Sequence, residues 1–368
     1  MKKRFLVKLL CVLIVCVTVM PLFSGCTDGD LDKVVMEYKD GEGKVTSKLD
    51  VAFLNLWLAE VNSNGYEQFA AQLDNGWDTV IDEKQKLTLS EVVKTSAVDG
   101  AKNMLAGEFL YDNVYDIGFT DQQEAVVDEV INGIISSYGT KELLEEALEK
   151  SSTNLDALRR YIVIEFKCKL LYYNLFEAEG APMMPADEDY REYFAKNYRI
   201  ADTIYIDTRG YAKEDGTVAY LNDEQLKEKE MLANDIYNQV KADPSTYELL
   251  QKQYNQDNYT TTYPFGYFVT ADGTFPEKFE KAVLSMGDGE IRLVKTDEGY
   301  HIIRKNPMDD GLYASNGDFK SMLKQELCLK GYADLVNPVV DGVEVDEDNL
   351  KLVDPAVIPG LSFSQFLE

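Results

Sequence analysis

The stretch from residue 263 to residue 304 constrains the fold of this chain more than any other part of its 368 residues. It holds the only histidine, His301, within Gly-Tyr-His-Ile-Ile-Arg. Phe275 and Phe279 are four positions apart, a spacing that places two side chains on the same face of a helix. The Gly-Asp-Gly run that follows indicates a turn before two strand-like segments. The order of turn, short helix, turn and two strands predicts an α+β arrangement.

The residues before this stretch extend the same unit. Ile200 to Ile206 has the composition of a first strand, and Asp223 to Ala242 has the apolar spacing of a long helix. Tyr247 to Gln253 is predicted to form a second helix. Together these elements predict a domain over residues 197–307, about 110 residues, which is an ordinary size for a single domain.

Residues 49–185 are predicted to be helical, because apolar residues recur there at helical spacing. Thr120 and Gln123 form a capping-box pattern at the start of one helix, which runs over residues 124–135. Another helix carries a single apolar stripe made of Leu155, Leu158, Ile162, Phe166 and Leu170. After residue 310 one more amphipathic helix precedes an acidic, irregular tail, so residues 312–368 form a last segment.

The first 25 residues have the pattern of a secretory signal. Basic residues precede an apolar run from Phe5 to Met20, and small residues then lead to Cys26. The run is shorter than the ~20 residues that span a bilayer. An uncleaved N-terminal membrane helix with an incidental cysteine is the alternative. Residues 26–48 are polar and fit a tether or a short edge strand.

Charge and cysteine content exclude several classes of protein. Without residues 1–25 the chain has 33 basic and 65 acidic residues, a net charge of −32, so no nucleic acid partner is expected. Cys168 and Cys328 lie in apolar, helix-patterned stretches, where free thiols are favoured over a disulfide. With one histidine and no close cysteine pairs, neither a metal site nor a cofactor is expected.

The Phe-Ser-Gly-Cys sequence that ends at Cys26 resembles a bacterial lipobox, although Phe23 stands where leucine is usual. The resemblance implies that Cys26 is diacylated and anchors the chain outside the cytoplasmic membrane. Residues 197–307 resemble a parvulin-type peptidyl-prolyl isomerase domain, and the helices before and after them resemble the chaperone region of PrsA-type and SurA-type foldases. This implies an α+β fold: a mostly helical chaperone domain, completed by a returning C-terminal helix, with a parvulin-like domain inserted.

The resemblance assigns roles to individual residues. His301 matches the second family histidine and Asp257 the acidic or cysteine position, whereas Thr203 stands where the family has its first histidine. The apolar proline pocket matches three phenylalanines, Phe265, Phe275 and Phe279. Thr262 and Tyr263 replace two family glycines and alter a turn. With Thr203 in the histidine position, we expect weakened isomerase activity.

Two functions follow from the resemblance. The first is a membrane-anchored foldase that binds unfolded or newly exported proteins and isomerises their Xaa-Pro bonds. The second is a holdase chaperone that uses the parvulin-like domain only to bind peptides, without catalysis. Asp257 and the three phenylalanines favour the first, whereas Thr203, Thr262 and Tyr263 favour the second. A homodimer is an arrangement that both leave open.

Overall fold

The computed structural model describes residues 28–212, 218–257 and 264–367. The chain divides into two compact units. One, the helical unit, contains the residues up to Met184 together with those from Lys330 onward, and the other, the central unit, is Pro185–Leu329. Within the described ranges no helix combines the length and the apolar character needed to cross a membrane.

Most of the helical unit is α-helix. Its N-terminal part contains the helices α1 Asp28–Leu31, α2 Val51–Asn62, α3 Tyr66–Ala70, α4 Leu89–Phe109, α5 Asp121–Tyr138, α6 Lys141–Lys150 and α7 Leu155–Tyr172. The predicted capping box is confirmed, because Thr120 and Gln123 exchange side-chain and backbone hydrogen bonds at the start of α5. The predicted stripe on α7 faces the core, where Leu158 and Ile162 are fully buried. Local sequence signals therefore place these helices.

A three-stranded antiparallel sheet completes the helical unit. It consists of β1 Val34–Lys39, β2 Val45–Asp50 and β11 Val343–Val345, in the order β11-β1-β2. Residues 26–48 were expected to form a tether or a short edge strand; they contain β1, which is the central strand of this sheet, and the start of β2. The paired residues Met36 and Val345 are far apart in sequence, so local composition did not reveal the strand.

The helical prediction for residues 49–185 also missed a short hairpin. Its strands are β3 Val80–Asp82 and β4 Leu87–Thr88. The Asp82 carboxylate accepts hydrogen bonds at 2.9 Å from the backbone N–H groups of Lys84 and Gln85, which holds the turn. Each strand is too short to show an alternating pattern in the sequence.

The central unit is built around a four-stranded antiparallel sheet. Its elements in chain order are α8 Asp187–Asn197, β5 Arg199–Asp207, β6 Tyr211–Ala212, β7 Val218–Ala219, α9 Asp223–Ala242, α10 Tyr247–Tyr254, β8 Tyr267–Val269, α11 Glu277–Ser285, β9 Ile291–Lys295 and β10 Gly299–Asn306. The strand order is β8-β5-β10-β9. The α+β class is confirmed, and so are the first strand and the two helices predicted after it.

The sheet of the central unit has a different core on each face. Ile204 and Ile302 lie in a cluster with residues of α9 and α10. Ala201 and Ile303 lie in a second cluster with Phe279 of α11. Because side chains alternate along a strand, the sheet presents a separate set of residues to each layer.

The chain leaves the central unit along a long helix. This helix, α12, spans Gly317–Val340, and it is followed by β11 and then by α13 Glu347–Leu350. Pro338 lies inside α12. The residues after α13 contain one short 3₁₀ turn, Ser364–Phe366, and pack into the core of the helical unit.

Candidate functional site

The candidate site lies on the sheet face that packs against α11. Residues directly opposite each other in an antiparallel pair share a face. His301 of β10 lies opposite Tyr205 of β5, and Ile303 lies opposite Thr203. Thr203, Tyr205 and His301 are therefore on the same face, which is the α11 side.

His301 is enclosed by aromatic rings. Its ring stacks on Tyr205 with a centroid distance of 4.7 Å and meets the edge of Phe279 at 5.1 Å. The Tyr205 hydroxyl donates a 2.8 Å hydrogen bond to the carbonyl of Glu298, which fixes the stacked ring. Burial lowers the pKa of His301 from its usual 6.5 to about 4, although the nearby Asp257 carboxylate acts in the opposite direction. The imidazole is therefore neutral at physiological pH.

Thr203 does not replace the missing histidine as a partner for His301. The two side chains are both buried, yet no hydrogen bond joins them. Among the described residues, neither Thr203 Oγ1 nor His301 Nδ1 has a hydrogen-bond partner. His301 Nε2 instead lies 3.2 Å from the hydroxyl of Thr296, at the end of β9.

Asp257 is held at the edge of β5 by the residues that follow α10. The Tyr205 N–H donates to Asn255 Oδ1 at 2.8 Å, and the Tyr205 carbonyl accepts from the Gln256 N–H at 2.9 Å. These two bonds continue the edge of the strand and fix the backbone before Asp257. The Asp257 carboxylate then accepts a hydrogen bond from the hydroxyl of Tyr267. The structure thus brings Asp257 towards the face that carries His301.

The three predicted pocket phenylalanines occupy different environments. Phe275 and Phe279 are neighbours, with centroids 5.2 Å apart, and Tyr267 packs edge-on against both. Phe279 is only 1% exposed, whereas Phe275 is partly exposed. Phe265 is 50% exposed, and within the described ranges no ring contact joins it to the other two. Of the three phenylalanines, Phe279 contacts His301 directly, and Phe275 packs against Phe279.

Three of the predicted positions lie outside the described residues. They are the lipidation position Cys26 and the two glycine replacements Thr262 and Tyr263.

Sequence reasoning missed three residues that contact the site: Tyr205, Tyr267 and Thr296. Tyr205 is two positions after Thr203 on β5, so strand alternation alone could have placed it beside His301. Tyr267 and Thr296 carry no comparable local signal, because their contacts with Asp257 and His301 depend on the return of the chain to the sheet. In the parts of the chain that the structure describes, no group of three potential metal ligands is present.

Comparison with known proteins agrees with this geometry. Residues 199–306 match the PPIC-type PPIase domain family. The foldase protein PrsA of Staphylococcus aureus strain Newman is 24% identical over 243 residues, covering 66% of this chain and 71% of that protein.

Two solved structures are also similar. PrsA from Bacillus subtilis is 22% identical and covers 75% of this chain and 98% of that one, with a TM-score of 0.25. PrsA from Bacillus cereus, described as a peptidylprolyl isomerase, is 15% identical and covers 72% of this chain and 92% of that one, with a TM-score of 0.31. Residues 199–306 therefore match a PPIC-type PPIase domain, and over 66% of its length the chain is similar to a PrsA foldase.

Proposed function

We propose that this protein is an extracytoplasmic foldase that binds unfolded or newly exported polypeptides and speeds cis/trans isomerisation of their Xaa-Pro bonds. The observation that carries the proposal is the enclosure of His301 by Tyr205 and Phe279, beside Asp257, within a PPIC-type domain. The name of the S. aureus relative, a foldase, supports the same role.

The reaction makes modest chemical demands on such a site. The barrier to rotation is about 18–20 kcal/mol and arises from amide resonance, and no covalent bond is made or broken. An enzyme must bind the twisted amide more tightly than either planar form. A partly exposed Phe275 supplies an apolar contact for a prolyl ring, and Asp257 supplies a carboxylate near the rotating bond. Because His301 is neutral and buried, its role here is to hold the aromatic face in place.

Attachment to the membrane through lipid on Cys26 belongs to the same proposal. The basic residues, the apolar run and the Phe-Ser-Gly-Cys end support it. Two acyl chains anchor a protein far more firmly than one, since each buried methylene contributes about 0.8 kcal/mol. A Cys26→Ala variant is expected to move from the membrane fraction to the soluble fraction, and retention in the membrane would exclude lipidation as the anchor.

Two observations favour the non-catalytic alternative. Thr203 leaves His301 Nδ1 without a partner among the described residues, and Phe279 is in the core rather than on an accessible surface. A domain of this kind can still bind peptides through Phe265 and Phe275, which are exposed and partly exposed. The holdase function therefore requires neither Asp257 nor Thr203.

Catalysed cis/trans exchange of an Xaa-Pro peptide, followed by NMR, tests the two functions. The mature wild-type chain is compared with Asp257→Ala and with Asp235→Ala, a control that removes an exposed carboxylate of α9. We expect wild type and the control to catalyse exchange and Asp257→Ala to lose most of the rate. Absence of catalysis by the wild type, with aggregation of an unfolded client still suppressed, would establish the holdase function instead.

The variant Thr203→His completes this test. If the missing histidine weakens the site, restoring it is expected to raise the exchange rate, since an imidazole can reach a partner that a threonine hydroxyl cannot. Equal and high rates in wild type and Thr203→His would show that the site is not impaired.

A further inference from the structure

The segment after α13 is bound to the helical unit like an extended peptide. We call residues 351–367 the tail; apart from the turn at Ser364–Phe366, it has no regular secondary structure. Pro355 is buried, and four further apolar side chains belong to the core of the helical unit, at intervals of five, five and four residues: Val353, Ile358, Phe363 and Leu367. The intervening Val357 is 54% exposed. The tail therefore contributes separate apolar anchors with solvated residues between them.

The backbone of the tail is bound mainly by side chains of the helical unit. The Asn62 amide donates to the carbonyls of Pro355 and Ile358 at 3.1 and 2.7 Å. Lys94 donates to the Val353 carbonyl at 2.6 Å. Three more side chains bind further along, Ser151 at the Pro359 carbonyl, Glu67 at the Gly360 N–H and Lys169 at the Leu367 carbonyl.

Glu60 makes the most concentrated of these contacts. It is 7% exposed, and its carboxylate accepts hydrogen bonds from the N–H groups of Phe363 at 2.6 Å and Ser364 at 3.3 Å. We use the name tail groove for the surface formed by Asn62, Glu60, Glu67, Lys94, Ser151 and Lys169. A buried carboxylate is costly unless it is hydrogen-bonded, and here backbone N–H groups supply those bonds.

This manner of binding does not depend on which sequence is bound. Every polypeptide carries the same backbone carbonyls and, proline apart, the same N–H groups. In peptide recognition of this kind, main-chain hydrogen bonds supply affinity and separate pockets supply selectivity for side chains. The bound tail also contains two Xaa-Pro bonds, at Pro355 and Pro359, so the groove accommodates prolines between its anchors.

We propose that the tail groove is a binding site for extended apolar, proline-containing segments of client polypeptides, and that the tail of this chain occupies it until a client segment displaces it. The proposal rests on the foldase function proposed above and locates its client-binding surface on the helical unit.

Displacement is a competition between a tethered ligand and a free one. A segment tethered by a short linker acts at an effective concentration of about millimolar. The apparent affinity for a free segment is reduced by the small fraction of molecules whose groove is open. A substitution that weakens the tail tenfold is therefore expected to lower the apparent Kd for a free segment about tenfold.

Gly360 offers a way to weaken the tail without emptying the core. A Cβ atom at this position would lie 2.9 Å from both the Cα and the N of Ser63, at the end of α2. These are backbone atoms, so the tail rather than α2 must move. Gly360→Ala therefore pushes the tail outward while leaving all four anchors unchanged.

The test uses the full mature chain and a fluorescent peptide with the sequence of residues 352–367. Binding is followed by fluorescence anisotropy for wild type, Gly360→Ala and the control Val357→Ala, which alters an exposed side chain of the same tail. We expect Gly360→Ala to bind the peptide at least about tenfold more tightly than wild type, and Val357→Ala to match wild type. An unrelated extended peptide with apolar residues at the same spacing and prolines between them is expected to compete.

A second variant, Phe363→Ala, keeps the test valid if Gly360→Ala does not fold. It removes a buried anchor of the tail and leaves Glu60 and the rest of the tail groove unchanged, whereas the free peptide retains its phenylalanine. Hydrogen exchange of the tail amides shows which variant has released the tail. A folded variant with a released tail that fails to bind either peptide would overturn the proposal, and so would a dimer formed by exchange of tails between two copies.

The proposal and the isomerase function fail separately. Peptide binding to the loosened variants without any catalysed Xaa-Pro exchange would remove the isomerase function and keep the tail groove. Catalysed exchange without peptide binding would keep the isomerase function and remove the tail groove as a binding site.

Discussion

Protonation of His301 is expected to destabilise the central unit. The folded-state pKa is about 4, against 6.5 for the exposed side chain. At about 1.36 kcal/mol per pH unit, this difference corresponds to roughly 3 kcal/mol of unfolding free energy. The imidazole is buried in its neutral form, so the unfolded chain binds more protons than the folded chain between these two pKa values. The contribution is therefore fully present above pH 6.5 and is lost as the pH falls towards 4.

The sequence allows the titration of His301 to be measured without overlap from other histidines. His301 is the only histidine, so a single imidazole Hε1 resonance reports its titration by NMR. We expect no titration step between pH 5 and pH 8. The central unit contains neither tryptophan, since Trp57 and Trp77 both lie in the helical unit, so tyrosine near-ultraviolet circular dichroism or the Hε1 signal must follow its unfolding.

The control is His301→Gln, which retains a polar side chain but cannot titrate. Protonation of carboxylates also lowers the free energy of unfolding over this pH range, but it does so equally in the wild type and in His301→Gln. The wild type is expected to lose about 3 kcal/mol more than His301→Gln between pH 7 and pH 4. An Hε1 midpoint near 6.5, or parallel pH dependences in the two proteins, would refute the assignment of His301 as a buried neutral side chain.

Three further predictions concern stability, measured by chemical denaturation. Thr203→Val removes a buried hydroxyl without a partner among the described residues and is expected to stabilise the central unit by about 1 kcal/mol; a loss would reveal a hydrogen bond to this hydroxyl. Gly107→Ala is expected to cost about 1–3 kcal/mol, because its Cβ would lie 2.5 Å from Cys168 Sγ. In contrast, Gly133→Ala in α5 would place its Cβ 3.9 Å from Phe366, an ordinary van der Waals contact, and is expected to gain about 0.5–1 kcal/mol. Tryptophan fluorescence follows the unfolding of both glycine variants, and equal changes in their free energies of unfolding would contradict the packing argument. Thr120→Ala removes the capping box of α5 and is expected to lower the free energy of unfolding by about 1 kcal/mol. An unchanged stability would show that the cap contributes little.

Features governed by neighbouring residues could be predicted from the sequence. The helix Asp223–Ala242 is observed with the predicted bounds, because its apolar spacing and the Asn222–Gln225 capping box are both local. The same holds for the capping box of α5. The strand that carries Thr203 was also predicted, since a run rich in β-branched and aromatic residues favours extended structure.

The accessibility of the predicted pocket residues could not be predicted in this way. Phe265, Phe275 and Phe279 have the same side chain, and their sequence positions fit one apolar cluster equally well. The structure buries Phe279, leaves Phe275 partly exposed and leaves Phe265 half exposed. That difference depends on which residues α11 and the sheet bring to the same face.

By itself, the sequence determined the long helices, the strands β5, β9 and β10 and the α+β class, because spacing and capping act within a few residues; it did not indicate β6, β7 or β8. Only the tertiary structure decided that β1 pairs with β11 and that Glu60 binds the backbone of Phe363, 303 positions away. A short strand or an extended tail is stable only through its partners. Since those partners are supplied by distant parts of the chain, neither feature has a local signal in the sequence.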